Sequence, residues 1–347
     1  MSALPLQPGK AGILQDHLLV QVSADEADEA LTLADRPGSG MVLSGPRSVS
    51  VARRLIRSSI PGVPLLCDRR RYAGRSRVSG CAPFDPSWLE GQRKLGVPRV
   101  LSDSGYIGPG DVRALVATLD NTVAAGQDVT AVLPVHTNWL RRDLSTLIAE
   151  VAAHRVPIAL VLEHRDDPLG VLETVRGLVS LIRQSRDVGL LCSDVSALGG
   201  IAFGASWAAV GVRTSLRHLY PVNDGGFGHQ DGTPSALVDP ALALIKVNKI
   251  AAGWAATPDD PAWACYCRTC HGRTLDWLLF ATTHEANQHT FELLLDRRDG
   301  LTNLSSGPLR EQSWRAQCAS AAFQYEALAL NGVTWGVPRF LRHWQVV

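Results

Sequence analysis

The stretch from Val129 to Leu162 reads VTAVLPVHTNWLRRDLSTLIAEVAAHRVPIALVL and contains one complete unit of a parallel α/β sheet. Its two short runs, Val129–Val135 and Ile158–Leu162, are almost continuous in apolar residues, as in strands that are covered on both faces. The longer segment between them, Leu140–His154, predicts a helix. A strand, a helix and a second strand in this order indicate a βαβ unit.

The same alternation runs on both sides of this unit. Strands are predicted at His17–Val22, Met41–Ser44, Val63–Cys67, Arg99–Ser102, Val129–Val135, Ile158–Leu162, Val188–Cys192 and Ala208–Val212. Helices are predicted at Val49–Ser58, Asp111–Ala125, Leu140–His154, Pro168–Gln184 and Val195–Gly204. Asp111 and Asp167 are expected to cap two of these helices. Eight such units predict an α/β fold of the (β/α)8 TIM-barrel type, and a doubly wound open sheet is the alternative.

The pattern changes after the last predicted strand, and three regions are expected. The barrel core should cover 1–218, and a zinc-binding subdomain should follow the last strand over 219–305. A C-terminal helix and tail should close on the barrel over 306–347, with the helix itself at 308–331.

Composition limits the class of protein. The chain has 347 residues, 46% of them hydrophobic, and its formal net charge of +1 gives no bulk attraction to nucleic acid. No segment has the length of apolar sequence that a membrane span needs, and the seven cysteines are scattered or clustered in a way that suits a reducing compartment. We therefore expect a cytoplasmic protein with no membrane contact.

A compact cysteine motif follows the predicted barrel. Cys265-Tyr-Cys267-Arg-Thr-Cys270 supplies three thiols, and His289 lies nineteen residues after the last of them. Three cysteines and a histidine can converge on one tetrahedral structural Zn²⁺. His284 is the alternative fourth ligand, because the two histidines share one predicted helix and, about 140° apart, cannot both face the ion.

Ionisable residues stand where the predicted strands end. Read in chain order, they are Asp68, Asp103, His136, Glu163 with His164, Asp194 and Arg213. The carboxyl ends of barrel strands carry the active site in enzymes of this fold, so the ends predict a functional rim. A loop beside that rim is crowded with arginines, which suggests contacts to a phosphate backbone: Arg69, Arg70, Arg71, Arg75 and Arg77.

The segment Leu101-Ser-Asp103-Ser-Gly105-Tyr106, together with the Cys-x-Cys-x-x-Cys and His pattern, resembles the tRNA-guanine transglycosylase superfamily. That family carries a Ser-Asp-Ser-Gly-Gly-Phe/Tyr signature in a (β/α)8 barrel and a zinc site after the eighth strand. The apolar spacing after His289 also resembles that after the family's zinc histidine, which favours His289 over His284. The resemblance spans about 103–289.

The resemblance implies exchange of a base in nucleic acid. A carboxylate attacks C1′ of a guanosine nucleotide, guanine leaves, and a 7-deazaguanine base is installed from the covalent intermediate. It implies an essential role for Asp103, and we expect Asp194 to supply the second carboxylate. Contacts to the substrate are expected from Asp68, Ser104, Gly105, Tyr106, His136, Glu163 and Arg213. Gly105 would let the backbone approach a planar ligand, and Tyr106 would stack on the base or belong to the core.

The sequence also departs from the tRNA enzymes. Ala209 occupies the position of their nucleophilic Asp, and His136 and Glu163 replace their base-recognising Asp and Gln. Leu198–Gly204 looks like their Gly-Gly-Leu-Ala-Val-Gly loop but falls within a predicted helix. These departures fit better the DpdA-like branch, which inserts a preQ0-type base (7-cyano-7-deazaguanine) into DNA, so DNA is the expected substrate and tRNA the less favoured one. An ATPase- or helicase-type partner would open the duplex.

The sequence is compatible with two other functions. Loss of the last-strand Asp is compatible with a non-catalytic barrel that serves as a nucleic-acid-binding partner subunit. A metal-dependent hydrolase using His136, His164 and Asp194 is weaker, because no His-x-His pair lies on a predicted strand.

Overall fold

The computed structural model describes residues 14–58, 63–222 and 232–347. Ten strands occur within these ranges: β1 His17–Ser23, β2 Met41–Ser44, β3 Leu65–Asp68, β4 Val100–Leu101, β5 Val129–His136, β6 Ile158–Glu163, β7 Val188–Ser193, β8 Trp207–Gly211, β9 Ser235–Val238 and β10 Ala243–Lys246. The α-helices are α1 Ala27–Ala30, α2 Ser48–Arg57, α3 Pro86–Leu95, α4 Val112–Ala125, α5 Asn138–Arg141, α6 Leu144–His154, α7 Leu172–Gln184, α8 Ala197–Ala202, α9 Val247–Ala256, α10 Thr283–Thr302, α11 Pro308–Leu330 and α12 Arg339–Gln345.

The first eight strands form a nearly closed parallel barrel. Their order is β3-β2-β1-β8-β7-β6-β5-β4, and the pairing of β1 with β8 through Leu19 and Ala209 brings the first strand beside the last. This pairing confirms the predicted (β/α)8 barrel and rules out the open doubly wound sheet.

The barrel interior is a packed apolar core. Alternate residues of the strands point inward and fill it, among them Leu19, Val42, Leu66, Val132 and Ala209. Tyr72 and Leu219, from loops after β3 and β8, join this cluster at the carboxyl end. Leu219 also pairs with β6, because its amide donates to the Leu162 carbonyl over 3.0 Å. The centre of the barrel mouth is therefore filled by the protein's own side chains.

The barrel has one break, between β3 and β4. The free edge of β4 is satisfied by the buried side chain of Gln92 in α3, which donates to the Leu101 carbonyl over 2.8 Å and accepts from the Leu101 amide over 3.0 Å. Further toward the mouth, the Tyr106 amide donates to the Val78 carbonyl and the Gly80 amide to the Tyr106 carbonyl, each over 2.8 Å. A side chain and a loop thus replace the missing strand pairing.

Some helices and helix caps differ from the predicted ones. Helix α3, between β3 and β4, was not predicted, and the predicted helix Leu140–His154 is two helices, α5 and α6. The predicted cap Asp111 is confirmed, since its carboxylate accepts from the Ala114 amide over 3.0 Å. The predicted cap Asp167 is wrong: it binds the Leu169 amide, and α7 begins only at Leu172. The predicted closing helix is confirmed as α11.

The region after β8 adds a wall beside the barrel mouth. Strands β9 and β10 form an antiparallel hairpin, in which Leu244 pairs with Leu237. Helix α10 starts with a capping box between Thr282 and Glu285 and runs 20 residues back along the barrel. None of the helices in the described ranges is long and apolar enough to span a membrane.

Replacement of Gly105 by alanine tests the loop that bridges the β3–β4 break. A Cβ at Gly105 would lie 2.1 Å from the Ser79 carbonyl oxygen, so the bridging backbone would have to move. We expect the Gly105→Ala variant to lose about 1–3 kcal/mol of unfolding free energy, as in other overpacked sites. Denaturant unfolding measures it.

Gly108→Ala is the matched control. A Cβ there meets nothing nearer than 3.8 Å, so its unfolding free energy should stay within about 0.5 kcal/mol of the wild-type value. Equal losses in both variants would contradict the bridging role.

Candidate active site and metal centre

The expected rim residues do lie at the carboxyl end of the barrel, but they separate into a filled side and an open side. The filled side is formed by the ends of β3 to β6. The open side is formed by the ends of β6 to β8, next to the β9–β10 hairpin.

Asp103 belongs to the filled side. Its carboxylate has no exposed area and accepts from the guanidinium groups of Arg69, over 2.9 Å, and Arg71, over 2.8 Å. The Asp85 amide donates to it over 3.2 Å, and Arg69 also reaches the Asp85 carboxylate over 2.8 Å. The two ion pairs tie the arginine loop to the segment after β4, and the Asp85 contacts tie both to the start of α3. A carboxylate held in this way is a structural anchor, since it must lose two cations before it can react.

The residues that follow Asp103 are also engaged internally. Ser104 is buried and its hydroxyl lies 2.7 Å from that of Ser102. Gly105 was expected to admit a ligand, and the structure corrects this: the Ser79 backbone packs against it. Tyr106 bonds to Glu163 through its hydroxyl, and the Arg77 guanidinium covers its ring at 3.6 Å.

Glu163 is thus the centre of a second internal cluster. It is 3% exposed, and its other oxygen accepts from Arg77 over 2.5 Å. His136 lies half-buried nearby, with its Nδ1 accepting from the Asn138 amide, and burial lowers the pKa of its imidazole. Neither the Tyr106 face that Arg77 covers nor the Glu163 carboxylate is free for a base.

Asp68 lies below the rim, inside the barrel. It accepts from the Tyr72 hydroxyl over 2.6 Å, and burial raises the pKa of its carboxyl. Its network continues to Gln21, which accepts from the Cys192 amide over 2.6 Å. The Arg70 amide donates to Asp68 over 3.0 Å, and the Arg70 guanidinium donates to the Ser215 carbonyl over 3.0 Å.

The arginines of the expected phosphate-binding loop therefore mostly bind carboxylates and backbone groups of the protein itself. Arg69, Arg71 and Arg77 form internal ion pairs, and Arg70 binds backbone. Arg75 is exposed. Arg213 is exposed too and pairs with Glu26 on the outer edge of the rim. Exposed arginines on several mouth loops form the solvent-facing basic surface: Arg75, Arg141, Arg142, Arg165 and Arg213.

The open side holds a cavity of about 600 Å³, which contains Asp194 of the expected catalytic pair. Such a volume is typical of small-molecule sites. Asp194 follows β7, and its Oδ1 accepts from the Ser196 amide over 2.9 Å and from the Ser196 hydroxyl over 2.6 Å. The bulged end of β7, where Cys192 has a positive φ of 49°, directs the chain to this position.

Five further ionisable residues line the cavity, and the sequence did not indicate them as site residues: Asp166, Asp167, Arg217, His218 and Arg339. Burial first, and the Asp194 charge second, raise the pKa of the Asp167 carboxyl to about 7. Burial lowers the pKa of the Arg217 guanidinium, whose charge faces Asp194. A carboxyl group with a pKa raised in this way can hold a proton near neutral pH, as a general acid must.

A small cavity of about 30 Å³ shares Asp167, Asp194 and Arg217 with the large one. Asp167, Asp194, Ser193, Ser196 and Arg217 supply its polar lining. This volume is large enough for a water molecule, and the lining offers it several hydrogen-bond partners.

The position that corresponds to the nucleophilic Asp of the tRNA enzymes holds a residue of the barrel core. Ala209 is fully buried within the barrel interior. The Gly-Gly segment in Leu198–Gly204 lies in helix α8, where a Cβ at Gly199 would fall 2.5 Å from Trp344 and 2.6 Å from Trp314. These glycines serve helix packing, which agrees with their predicted helical position.

Cys265, Cys267, Cys270 and His289 form a buried group that can hold one metal ion, with all four ligand atoms within 4.8 Å of one another. The Nδ1 atom of His289 lies 3.6 Å from the sulfurs of Cys265 and Cys267 and 3.1 Å from that of Cys270. A tetrahedral Zn²⁺ site requires separations of about 3.6 Å between sulfur and nitrogen ligands, so the group is compatible with zinc.

The outer contacts of the group agree with a metal role. The Nε2 atom of His289 lies 2.8 Å from the Leu237 carbonyl of β9, which fixes Nδ1 as the ligand atom. His284, the alternative, contacts Thr32 over 3.4 Å and is not in the group. The structure thus places His289, rather than His284, with the three cysteines in a group that could hold a metal ion.

Comparison of the sequence with models of protein families and with curated proteins finds no match.

Removal of the metal ligands tests the centre. We expect wild-type protein to contain about one zinc per chain, and Cys270→Ser and His289→Ala to lose it. The loss should cost about 4 kcal/mol of unfolding free energy, the linkage expected for metal at a thousand times its Kd. Elemental analysis and denaturant unfolding measure the two effects, and a chelator should reproduce them in wild type.

His284→Ala is the control on the same helix and should keep both metal and stability. A His289→Ala variant that retains zinc as well as wild type does would refute the ligand assignment.

Proposed function

We propose that this protein is a base-exchange transglycosylase that replaces guanine in DNA with a 7-deazaguanine base, and that its reaction takes place on the open side of the barrel mouth. The observation that carries the proposal is the pair Asp167 and Asp194 in a cavity of about 600 Å³ at the carboxyl ends of the strands. The resemblance of the Asp-Ser-Gly turn and the zinc motif supports the reaction class.

The two carboxyl groups have distinct roles in the proposed reaction. Asp194 attacks C1′ of the nucleotide through Oδ2, because Oδ1 is held by Ser196. Asp167, whose pKa is raised to about 7, gives its proton to the departing guanine and takes one from the incoming base. The Arg217 charge, which faces Asp194, stabilises its carboxylate before the attack and again when the incoming base displaces it from C1′.

This assignment replaces Asp103 as the reacting carboxylate. The Asp103 carboxylate is fully buried and paired with two arginines, whereas Asp194 lines a cavity of about 600 Å³. The DNA backbone would follow the exposed arginines of the mouth loops, which neutralise phosphates without reading sequence. Zinc has no part in the chemistry, since four protein ligands close its coordination.

A second candidate function rests on Ala209 and Asp103 together. One family position for a reactive carboxylate is a buried alanine, and the other is saturated by arginines. A barrel altered in this way could serve as the non-catalytic, DNA-binding subunit of a modification complex with an ATPase-type enzyme.

The experiment supplies labelled 7-cyano-7-deazaguanine with duplex DNA or with tRNA, in the presence and absence of an ATPase-type partner. We expect label in DNA with wild type and a loss of at least about 10³-fold with Asp194→Asn, because removal of a nucleophile removes the covalent step. Asp120→Asn, on the outer helix α4, should retain full incorporation.

The Asp103→Asn variant distinguishes a structural role of Asp103 from a catalytic one. Breaking its buried ion pairs should lower the unfolding free energy by about 3 kcal/mol, while incorporation per folded molecule stays within about tenfold of wild type.

Label in tRNA alone would move the substrate to tRNA. Label in neither, or equal label with Asp194→Asn, would favour the partner-subunit function.

A further inference from the structure

A further cavity, of about 480 Å³, lies between the segment after β8, the β9–β10 hairpin and the start of α10. The reaction proposed above makes no use of it. Among the described residues, Thr214 and Arg217 are the two that line both this cavity and the large one that contains Asp194. The two cavities are therefore separate spaces that share a guanidinium group.

The lining of this second cavity carries positive charge and hydrogen-bond donors. Three of its side chains are cationic: Arg213, Arg217 and Lys246. Hydroxyl and amide groups make up most of the remainder: Thr214, Ser215, Thr233, Ser235, Thr283 and Asn287. None of the described residues that line it has a carboxyl group. Such a surface favours a negatively charged ligand with several acceptor oxygens, and we refer to it as the cationic cavity.

The contacts of the two arginines leave their charge available to a ligand. Arg213 pairs with Glu26, but its side chain is exposed, and exposed ion pairs contribute little to stability. Arg217 donates through Nε to the Gly211 carbonyl over 3.1 Å and through a terminal nitrogen to the Val212 carbonyl over 3.3 Å. Because these acceptors are neutral, they hold the guanidinium in place without cancelling its charge.

The size and polarity of the cationic cavity indicate the kind of anion that fits it. A volume of about 480 Å³ is typical of small-molecule sites. Val212 and Pro234 are the apolar side chains among the described lining residues, which is too little apolar surface to hold an aromatic ring or an acyl chain. A short chain of phosphate groups carries several charges and many acceptor oxygens within a small space. A DNA backbone, in contrast, carries one charge per nucleotide along an extended strand.

We propose that the cationic cavity is a binding site for an oligophosphate anion, a diphosphate or triphosphate group, and that this site is coupled to the large cavity through Arg217. The Arg217 guanidinium lines both cavities, and its charge faces Asp194. An anion that attracts this charge leaves less of it for the Asp194 carboxylate. Coupling of this kind is reciprocal, so loss of the Asp194 charge should strengthen binding of the anion.

The test of the site measures binding of tripolyphosphate, pyrophosphate and inorganic phosphate to the full chain by calorimetry, without DNA or base. We expect tripolyphosphate to bind more tightly than inorganic phosphate. Lys246→Ala should weaken tripolyphosphate binding about 10-fold, the effect of one lost charge-assisted hydrogen bond, and Thr283→Val should weaken it about 3-fold. Lys249→Ala removes an exposed cation outside the cavity and is the matched control, which should bind as wild type does.

The test of the coupling uses Asp194→Asn in the same measurement. The amide oxygen can still accept from Ser196, whereas the negative charge that faces Arg217 is lost. We expect Asp194→Asn to bind tripolyphosphate about 5-fold more tightly than wild type. Asp120→Asn, on the outer helix α4, should leave the affinity unchanged. Thermal unfolding of each variant confirms its fold.

Four outcomes decide the proposal. No binding of tripolyphosphate by wild type, or equal binding by the folded Lys246→Ala variant, would overturn the site, and equal binding by Asp194→Asn would overturn the coupling. Displacement of tripolyphosphate by ATP would support an oligophosphate site. Displacement by a DNA oligonucleotide but not by ATP would assign the cavity to the nucleic-acid backbone and overturn the proposal. Since no DNA or base is needed for the binding measurement, failure of incorporation into DNA would contradict the proposed function and leave this site standing.

Discussion

The double ion pair of Asp103 with Arg69 and Arg71 is the interaction on which the arrangement of the barrel mouth depends. The barrel is broken between β3 and β4, and the loop after β3 must be fixed across that break. A buried carboxylate with two guanidinium partners does this, and removal of one partner from such a group typically costs about 3–5 kcal/mol. Asp103 and its arginines are thereby engaged in structural contacts, and we propose that the chemistry takes place on the other side of the mouth.

The open side rests in turn on the group of Cys265, Cys267, Cys270 and His289, which could hold a metal ion. His289 contacts the Leu237 carbonyl of β9, β9 pairs with β10, and β10 forms part of the apolar wall of the large cavity. A metal ion held by this group would order the Cys265–Cys270 loop against α10 and would thereby help to position the wall of that cavity.

The sequence predicted the repeating features well and the individual contacts poorly. Near-continuous apolar runs identified the barrel strands, and ligand spacing identified the three cysteines of the metal group, because both depend on local pattern. The choice of His289 over His284 rested on the family resemblance of the apolar residues that follow it. The commitment of Asp103, Glu163 and Arg77 to internal ion pairs could not be predicted, since a motif gives residue type and not partner. Asp167 was interpreted as a helix cap, and Arg217 and His218 carried no motif. They become a site only when the chain after β8 folds back to pair with β6.

We propose that the reactive centre lies at Asp167 and Asp194 rather than at Asp103. The most direct test is a crystal structure of the protein soaked with 7-cyano-7-deazaguanine. We predict density for the base between the ends of β6 to β8 and the β10 wall, within hydrogen-bond distance of Asp167 or Asp194. Density against Asp103, with Arg69 and Arg71 displaced, would contradict the account.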